Sequence, residues 1–244
     1  MEIPSGYAKR EPVVDVRVLF IISGGEKREK DYFTVLMKNH SSSVRVAFCT
    51  QEGNGYHPRE MVEKAKEFLC RKLFIIEKKN EKPTELPMED GDIVYLLQDM
   101  DYFETEIQKL NNAGMPAEAR WVISNPAFEI WLYYHYYCSP KGRLDELEVL
   151  DVCQRSKRLK QILDILGTHD SGGGIDPRKA FYEMRTAINN SEANWQTVNG
   201  LPALYATQMP IVAKEILRLL GEDNFDKLKA SKAEEIRMWK RRAT

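Results

Sequence analysis

The chain has 244 residues, and its 36 lysines and arginines are offset by 37 aspartates and glutamates, a formal charge of −1. That balance excludes a global basic field, so contact with nucleic acid would need a local patch or a basic partner. With 43% hydrophobic and 30% charged residues, the composition excludes general disorder, and the length suffices for a core without disulfide or metal staples.

Residues 1–12 carry Pro4, Gly6 and Pro12 among charges and read as a flexible lead-in. Residues 13–22 are rich in β-branched side chains and stop at Ser23-Gly24-Gly25, the pattern of a buried strand and a tight turn. Helical periodicity starts at Glu26 and places Tyr32, Phe33, Leu36 and Met37 on one face. Residues 43–50 alternate as a second strand, residues 51–58 are turn-rich, and Arg59 to about Phe74 is helical again. Residues 77–91, charged and carrying Pro83 and Pro87, read as a surface loop. The apolar run Ile93–Leu97 predicts a central strand of a parallel sheet, and it leads straight into Gln98-Asp99-Met100-Asp101.

A helix over 104–112 ends at Gly114 and Pro116, and residues 120–124 form a further strand. Asn125 is suited to cap the next helix, with Pro126 in its first position. Beyond Pro140 the periodicity predicts only helices, over 144–166, 177–190, 207–220 and 233–242, with Ser171–Gly174 as a flexible loop. The fold class expected is α/β: a mostly parallel sheet flanked by helices over 13–138, with a C-terminal helical part over 139–244, in a single domain.

The four cysteines, Cys49, Cys70, Cys138 and Cys153, form no CxxC pair and read as buried free thiols of a reducing compartment. The first residues lack the apolar core of a signal peptide, and no apolar run approaches the ~20 residues of a membrane span, so a cytoplasmic location without membrane contact is expected. Walker-type, nucleophile-elbow and dinucleotide-binding motifs are missing.

In open parallel sheets, ligands bind beyond the carboxyl ends of the strands. Asp99 and Asp101 fall at such an end. In extended backbone they would point to the same side, where two carboxylates repel unless a cation lies between them. Hard oxygen donors suit Mg²⁺ or Mn²⁺. The bland alternative is one helix-capping and one solvated aspartate. Glu26 and Glu29 follow the Gly24-Gly25 turn and are candidates for metal ligand or general base, or for acids that stabilise a helix N-terminus. Their neighbours Lys27, Arg28 and Lys30 fit a solvated face better than a phosphate site. His135 reads as a core histidine ahead of a catalytic one, and His169-Asp170 as a loop pair.

Several stretches together resemble the RloB-like family, which includes the AbiL-type abortive-infection component. They are Gly24-Gly25-Glu26-Lys27-Arg28-Glu29 with Tyr32-Phe33, then Asp99-Met100-Asp101, then the run from Ser124 through Asn125-Pro126, Phe128-Glu129 and Trp131-Leu132 to His135. Lys179, Ala187-Ile188 and Thr207 resemble weaker family positions. The resemblance implies a TOPRIM-like core. In that core a glutamate after the first strand and an Asp-x-Asp after a later one hold Mg²⁺ (or Mn²⁺) for phosphodiester chemistry.

It further implies a nuclease effector of anti-phage defence, beside an ABC-type ATPase partner and acting on RNA (tRNA) or DNA. On this reading Glu26, Asp99 and Asp101 hold the metal, Glu26 or Glu29 is base or added ligand, and Glu129 completes the acidic cluster. The family glutamate directly after the first strand is Gly24 here, which keeps a second expectation in play: an inactive module that docks on an ATPase or a phage protein.

Overall fold

The structure is a computed structural model that describes residues 16–38, 43–53, 55–77, 81–166 and 175–242. In chain order the first half runs β1 (Arg17–Ser23), α1 (Arg28–Lys38), β2 (Val44–Cys49), α2 (Pro58–Arg71), β3 (Leu73–Ile76) and β4 (Thr84–Pro87). Next come β5 (Val94–Asp99), α3 (Glu104–Ala113), β6 (Ala119–Ser124) and α4 (Glu129–Tyr134). The remainder is α5 (Val152–Leu166), α6 (Pro177–Ala180), α7 (Met184–Ala193), β7 (Thr197–Val198), β8 (Leu201–Pro202), α8 (Met209–Leu220) and α9 (Glu222–Arg242).

The main sheet is four-stranded and wholly parallel, in the order β2-β1-β5-β6. Its two faces follow from the alternation of each strand. Leu19 and Ile21 of β1, with Tyr95 and Leu97 of β5, pack under α1 and the helices from α4 onward. Phe20 and Ile22, with Val94 and Leu96, pack under α2, α3 and the β3–β4 hairpin. The α/β expectation therefore holds, as does the helical C-terminal part. Because both faces are covered, the strands read as nearly continuous apolar runs.

The chain leaves β1 toward β2 on one side and returns to β5 on the other, so strand order reverses between β1 and β5. The crevice above their carboxyl ends is the place such a sheet offers a ligand.

Several expected boundaries change. The helix expected to reach Phe74 stops at Arg71, because Lys72 takes a left-handed conformation at φ 52° and turns the chain into β3. Part of the expected 77–91 loop is β4, which pairs antiparallel with β3; as an edge strand it tolerates Pro87 at its end. The helix expected over 144–166 is broken into a 3₁₀ turn at Asp145–Leu147 and α5, and the one expected over 177–190 into α6, a 3₁₀ turn at Phe181–Glu183 and α7. The last helix begins at Glu222 rather than 233, and a short hairpin, β7–β8, lies in a stretch read as strandless. The lead-in 1–12, the His169-Asp170 pair and the Ser171–Gly174 loop lie outside the described residues.

Asn125 is not the helix cap. The Asn125–Pro126 peptide is cis, α4 starts three residues later, and the Asn125 side-chain amide donates to the Pro202 carbonyl at 2.9 Å. Residues 205–208 run antiparallel along the outer edge of β6. The Asn125 amide donates to the Ala206 carbonyl at 3.0 Å, the Gln208 amide to Ile123 at 2.9 Å and the Tyr205 amide to Asn125 at 2.9 Å.

Candidate active site

Four carboxylates gather where β1, β5 and β6 end. Glu29 comes from the first turn of α1, Asp99 from the last position of β5, Asp101 from the turn after it and Glu129 from the first residue of α4. Glu29 and Glu129 are buried.

Glycines make the room. Any Cβ on Gly25 would lie 1.9 Å from a Glu29 carboxylate oxygen, so the acid is folded against bare backbone. A Cβ on Gly24 would lie 2.3 Å from Gln98 Oε1, so the Gln98 amide fills the space that a side chain at 24 would occupy. Gln98 is itself buried, and its Oε1 has no hydrogen-bond partner.

The Asp99 carboxylate accepts the Phe128 amide at 2.7 Å, so a β5 aspartate supplies the cap that Asn125 does not. Asp101 lies beyond the strand at φ 30° and accepts the Ser156 hydroxyl of α5. The same-side placement expected from extended backbone does not apply to it, since β5 ends at Asp99.

Glu26 is placed apart from the other acids. It precedes α1, and its carboxylate accepts the Gly53 amide at 2.9 Å across the loop that follows β2. One turn of chain thus separates an acid turned to a surface loop from Glu29, which faces the sheet.

Two basic groups reach the cluster, Lys160 from α5 and Arg28 from α1. Lys160 Nζ lies 4.0 Å from Asp99 Oδ2 and 3.9 Å from Glu129 Oε1. Arg28 Nε lies 3.4 Å from that same Glu129 oxygen, and its guanidinium donates to Asp164 at 2.7 Å. Glu129 Oε2 is buried with no hydrogen-bond partner. Arg28, expected on a solvated face, is thus drawn inward.

Sequence reasoning missed Ser156, Lys160 and Asp164. Their i, i+4, i+8 spacing marks a polar stripe along α5, which resembles any solvated face until the helix is seen laid over the cluster.

Crowding of like charges out of water sets the protonation. Burial pushes Glu29 up to about 7, helped by the negative charge of Glu129. Burial, then Glu29 and Glu129, holds Asp99 well above the usual carboxylate range. Asp101 is pushed up to about 6, chiefly by burial. Glu129 is raised by burial, although Lys160 and Arg28 oppose the shift. Burial also works against the Lys160 ammonium, but Glu129, Asp99, Asp101 and Glu29 outweigh it and hold its pKa above the ordinary value. Perturbed acids gathered at the strand ends make this the candidate functional site.

A family model for RloB-like proteins matches residues 19–216. The chain belongs to the RloB-like family. The match takes in all four clustered acids and Lys160 of this RloB-like chain. Comparisons with curated proteins and with solved structures give no match.

His135 of the RloB-like chain stands outside the cluster. Its Nδ1 faces the Trp131 carbonyl at 2.8 Å, and its Nε2 lies 3.2 Å from the Tyr32 hydroxyl. A carbonyl only accepts, so Nδ1 carries the proton and Nε2 accepts from Tyr32. Burial depresses the imidazole to about 3. It is a satisfied core histidine.

The cysteines are all free, but only Cys49 is buried; Cys70, Cys138 and Cys153 are exposed, against expectation. Among the described residues, no helix is long and apolar enough to cross a membrane.

Proposed function

We propose that this RloB-like protein is a Mg²⁺- or Mn²⁺-dependent nuclease, an effector of bacterial anti-phage defence of the abortive-infection kind, with a TOPRIM-like core. The observation that carries the reading is the gathering of Glu29, Asp99, Asp101 and Glu129 at the switch point of a parallel sheet. An Asp-x-Asp stands at the end of the third strand of that sheet, as the resemblance implies, while Gly24 takes the place of the family glutamate and the acid nearest the first strand is Glu29 of α1.

The donor chemistry fits a hard divalent cation. All the donors are carboxylate oxygens, they raise one another's pKa, and one of them, Glu129 Oε2, is buried without a partner. Among the described residues no three such side chains already close around one ion. Asp99 and Asp101 would hold the cation, with Glu29, nearer to them than Glu26, and Glu129 as further ligands or base. When bound, such an ion polarises a phosphoryl oxygen and lowers the pKa of a water. Asp99, tied to the Phe128 amide, and Asp101, tied to Ser156, are held in place for that task. Glu29, poised near neutrality, can take up a proton.

The substrate class is RNA (tRNA) or DNA, and an ABC-type ATPase is the partner that would hold the activity in check. The test is cleavage of mixed RNA and DNA with Mg²⁺ or Mn²⁺, with and without the ATPase, by wild type and by Asp99→Asn/Asp101→Asn. Metal-dependent cleavage lost in the double variant supports the reading; no cleavage by the folded wild type in any condition sinks it.

One observation favours a second reading. Lys160 and Arg28 already lie against the carboxylates, as they would in an inert module that keeps the fold to dock on its ATPase or on a phage protein.

A further inference from the structure

The charge balance of the cluster turns on one side chain that the cation reading leaves unused. Glu129 Oε1 is shared by Arg28 at 3.4 Å and Lys160 at 3.9 Å, while Oε2 has no hydrogen-bond partner. The two basic residues are held differently. Arg28 is fixed by a 2.7 Å bond to Asp164. Lys160 approaches Asp99 and Glu129 only to about 4 Å, beyond the ~2.7–2.9 Å of a charge-assisted hydrogen bond. Its side chain is 45% exposed, whereas that of Glu129 is 3% exposed. A flexible four-carbon stem therefore has a water route outward that the carboxylate lacks.

The helix need not move for the ammonium to leave. Ser156, one turn before Lys160, is bonded to Asp101, and Asp164, one turn after it, is bonded to Arg28.

We propose that Lys160 is the resident counter-ion of this carboxylate cluster, and that a divalent cation enters by displacing its ammonium from Asp99 and Glu129. The inference rests on the cation reading above and adds to it a competitor built into the chain. One positive charge is exchanged for two, against carboxylates that repel one another. In the exchanged state the lysine head lies at the mouth of the crevice, where it adds to the field felt by an incoming anion.

The consequence runs against the usual effect of losing a site lysine: removing the charge strengthens metal binding. The experiment is a Mn²⁺ titration of the full chain, read by calorimetry and by the loss of the free-ion paramagnetic signal. It compares wild type, Lys160→Met, Lys160→Arg and Asp99→Asn. Lys160→Met is expected to bind at least about tenfold tighter than wild type, as fits removal of a competing unit charge that lies about 4 Å from the carboxylates in a partly buried site. Lys160→Arg should stay within about threefold of wild type, and Asp99→Asn should bind least.

Binding by wild type with no gain in Lys160→Met overturns the inference and leaves the cation reading standing. Absence of binding in every folded variant overturns both. If Lys160→Met is too unstable to titrate, the thermal midpoint of Lys160→Gln decides: it should rise more with Mn²⁺ than that of wild type, and an equal or smaller rise counts against the exchange.

Discussion

The Phe128 amide donates to Asp99 Oδ1 at 2.7 Å, so a residue proposed to hold a cation is also the one that anchors the start of α4. The two roles separate by substitution. Asp99→Asn keeps an oxygen for the amide and removes a charge that its surroundings disfavour. It should leave stability equal to wild type or higher while weakening divalent-cation binding below that of wild type. Asp99→Ala orphans the Phe128 amide and should cost about 1–3 kcal/mol. Urea unfolding of the two variants beside wild type measures both effects.

Stability of the metal-free protein should fall as pH rises through the range set by Glu29. The folded state holds this proton to about pH 7, whereas the ordinary carboxylate releases it near 4.5. Between those values the folded state binds more protons than the unfolded one, so the slope is negative. Glu29→Gln removes the share of that slope due to Glu29 and leaves the share due to Asp99, Asp101 and Glu129. At pH 8 the variant should exceed wild type by on the order of 3 kcal/mol in unfolding free energy, and at pH 4 by little. A divalent cation in excess should restore wild-type stability at pH 8, because it compensates the charge that burial penalises.

His135 gives the opposite slope. Its folded-state pKa is depressed to about 3 from 6.5, so below pH 6.5 the unfolded chain takes a proton that the folded one refuses, and stability falls with acid. In His135→Gln that acid limb should flatten. The advantage of wild type over the variant should shrink by about 2–3 kcal/mol between pH 7 and 4.5. Since both ring nitrogens are engaged by Trp131 and Tyr32, cation affinity at pH 7.5 should not change.

Gly24 and Gln98 are sterically coupled, because a Cβ at 24 meets the Gln98 amide at 2.3 Å. Gly24→Ala should lose about 1–3 kcal/mol, the usual cost of overpacking. In the background of Gln98→Ala the same change should cost less than half as much. A double-mutant cycle measures the coupling, and strict additivity of the two changes would refute it.

Much of the frame was legible because each central strand carries its own signal. Val18–Ile22 and Ile93–Leu97 are apolar without interruption, as strands covered on both faces must be. The β3–β4 hairpin was not legible. β3 directly continues an amphipathic helix and is set off only by the left-handed turn at Lys72, while β4 is an exposed edge strand with no apolar run to mark it.

At the site, Asp99 and Asp101 are legible from their position at a strand end, and Glu129 from the family resemblance and a helix that starts beyond a strand end. The choice between Glu26 and Glu29 needs the phase of α1, fixed only once the helix is known to start at Arg28. Lys160 was beyond reach for a different reason. It joins Asp99 from 61 residues away in sequence, and nothing local distinguishes it from the other lysines and arginines of α5.

The segment 205–208 has a consequence for how the protein can associate. An open sheet ordinarily ends in a ladder of free amides and carbonyls onto which a foreign strand can zip. Along the upper half of β6 that ladder is already spent: Ile123 donates to the Gln208 side chain, Asn125 donates to Ala206, and both of their carbonyls receive amides from the same segment. An intruding peptide would have to peel away the chain's own residues for no net gain in hydrogen bonds. Recruitment along this stretch of the border is thus self-limiting, which leaves β2 as the sheet's other edge.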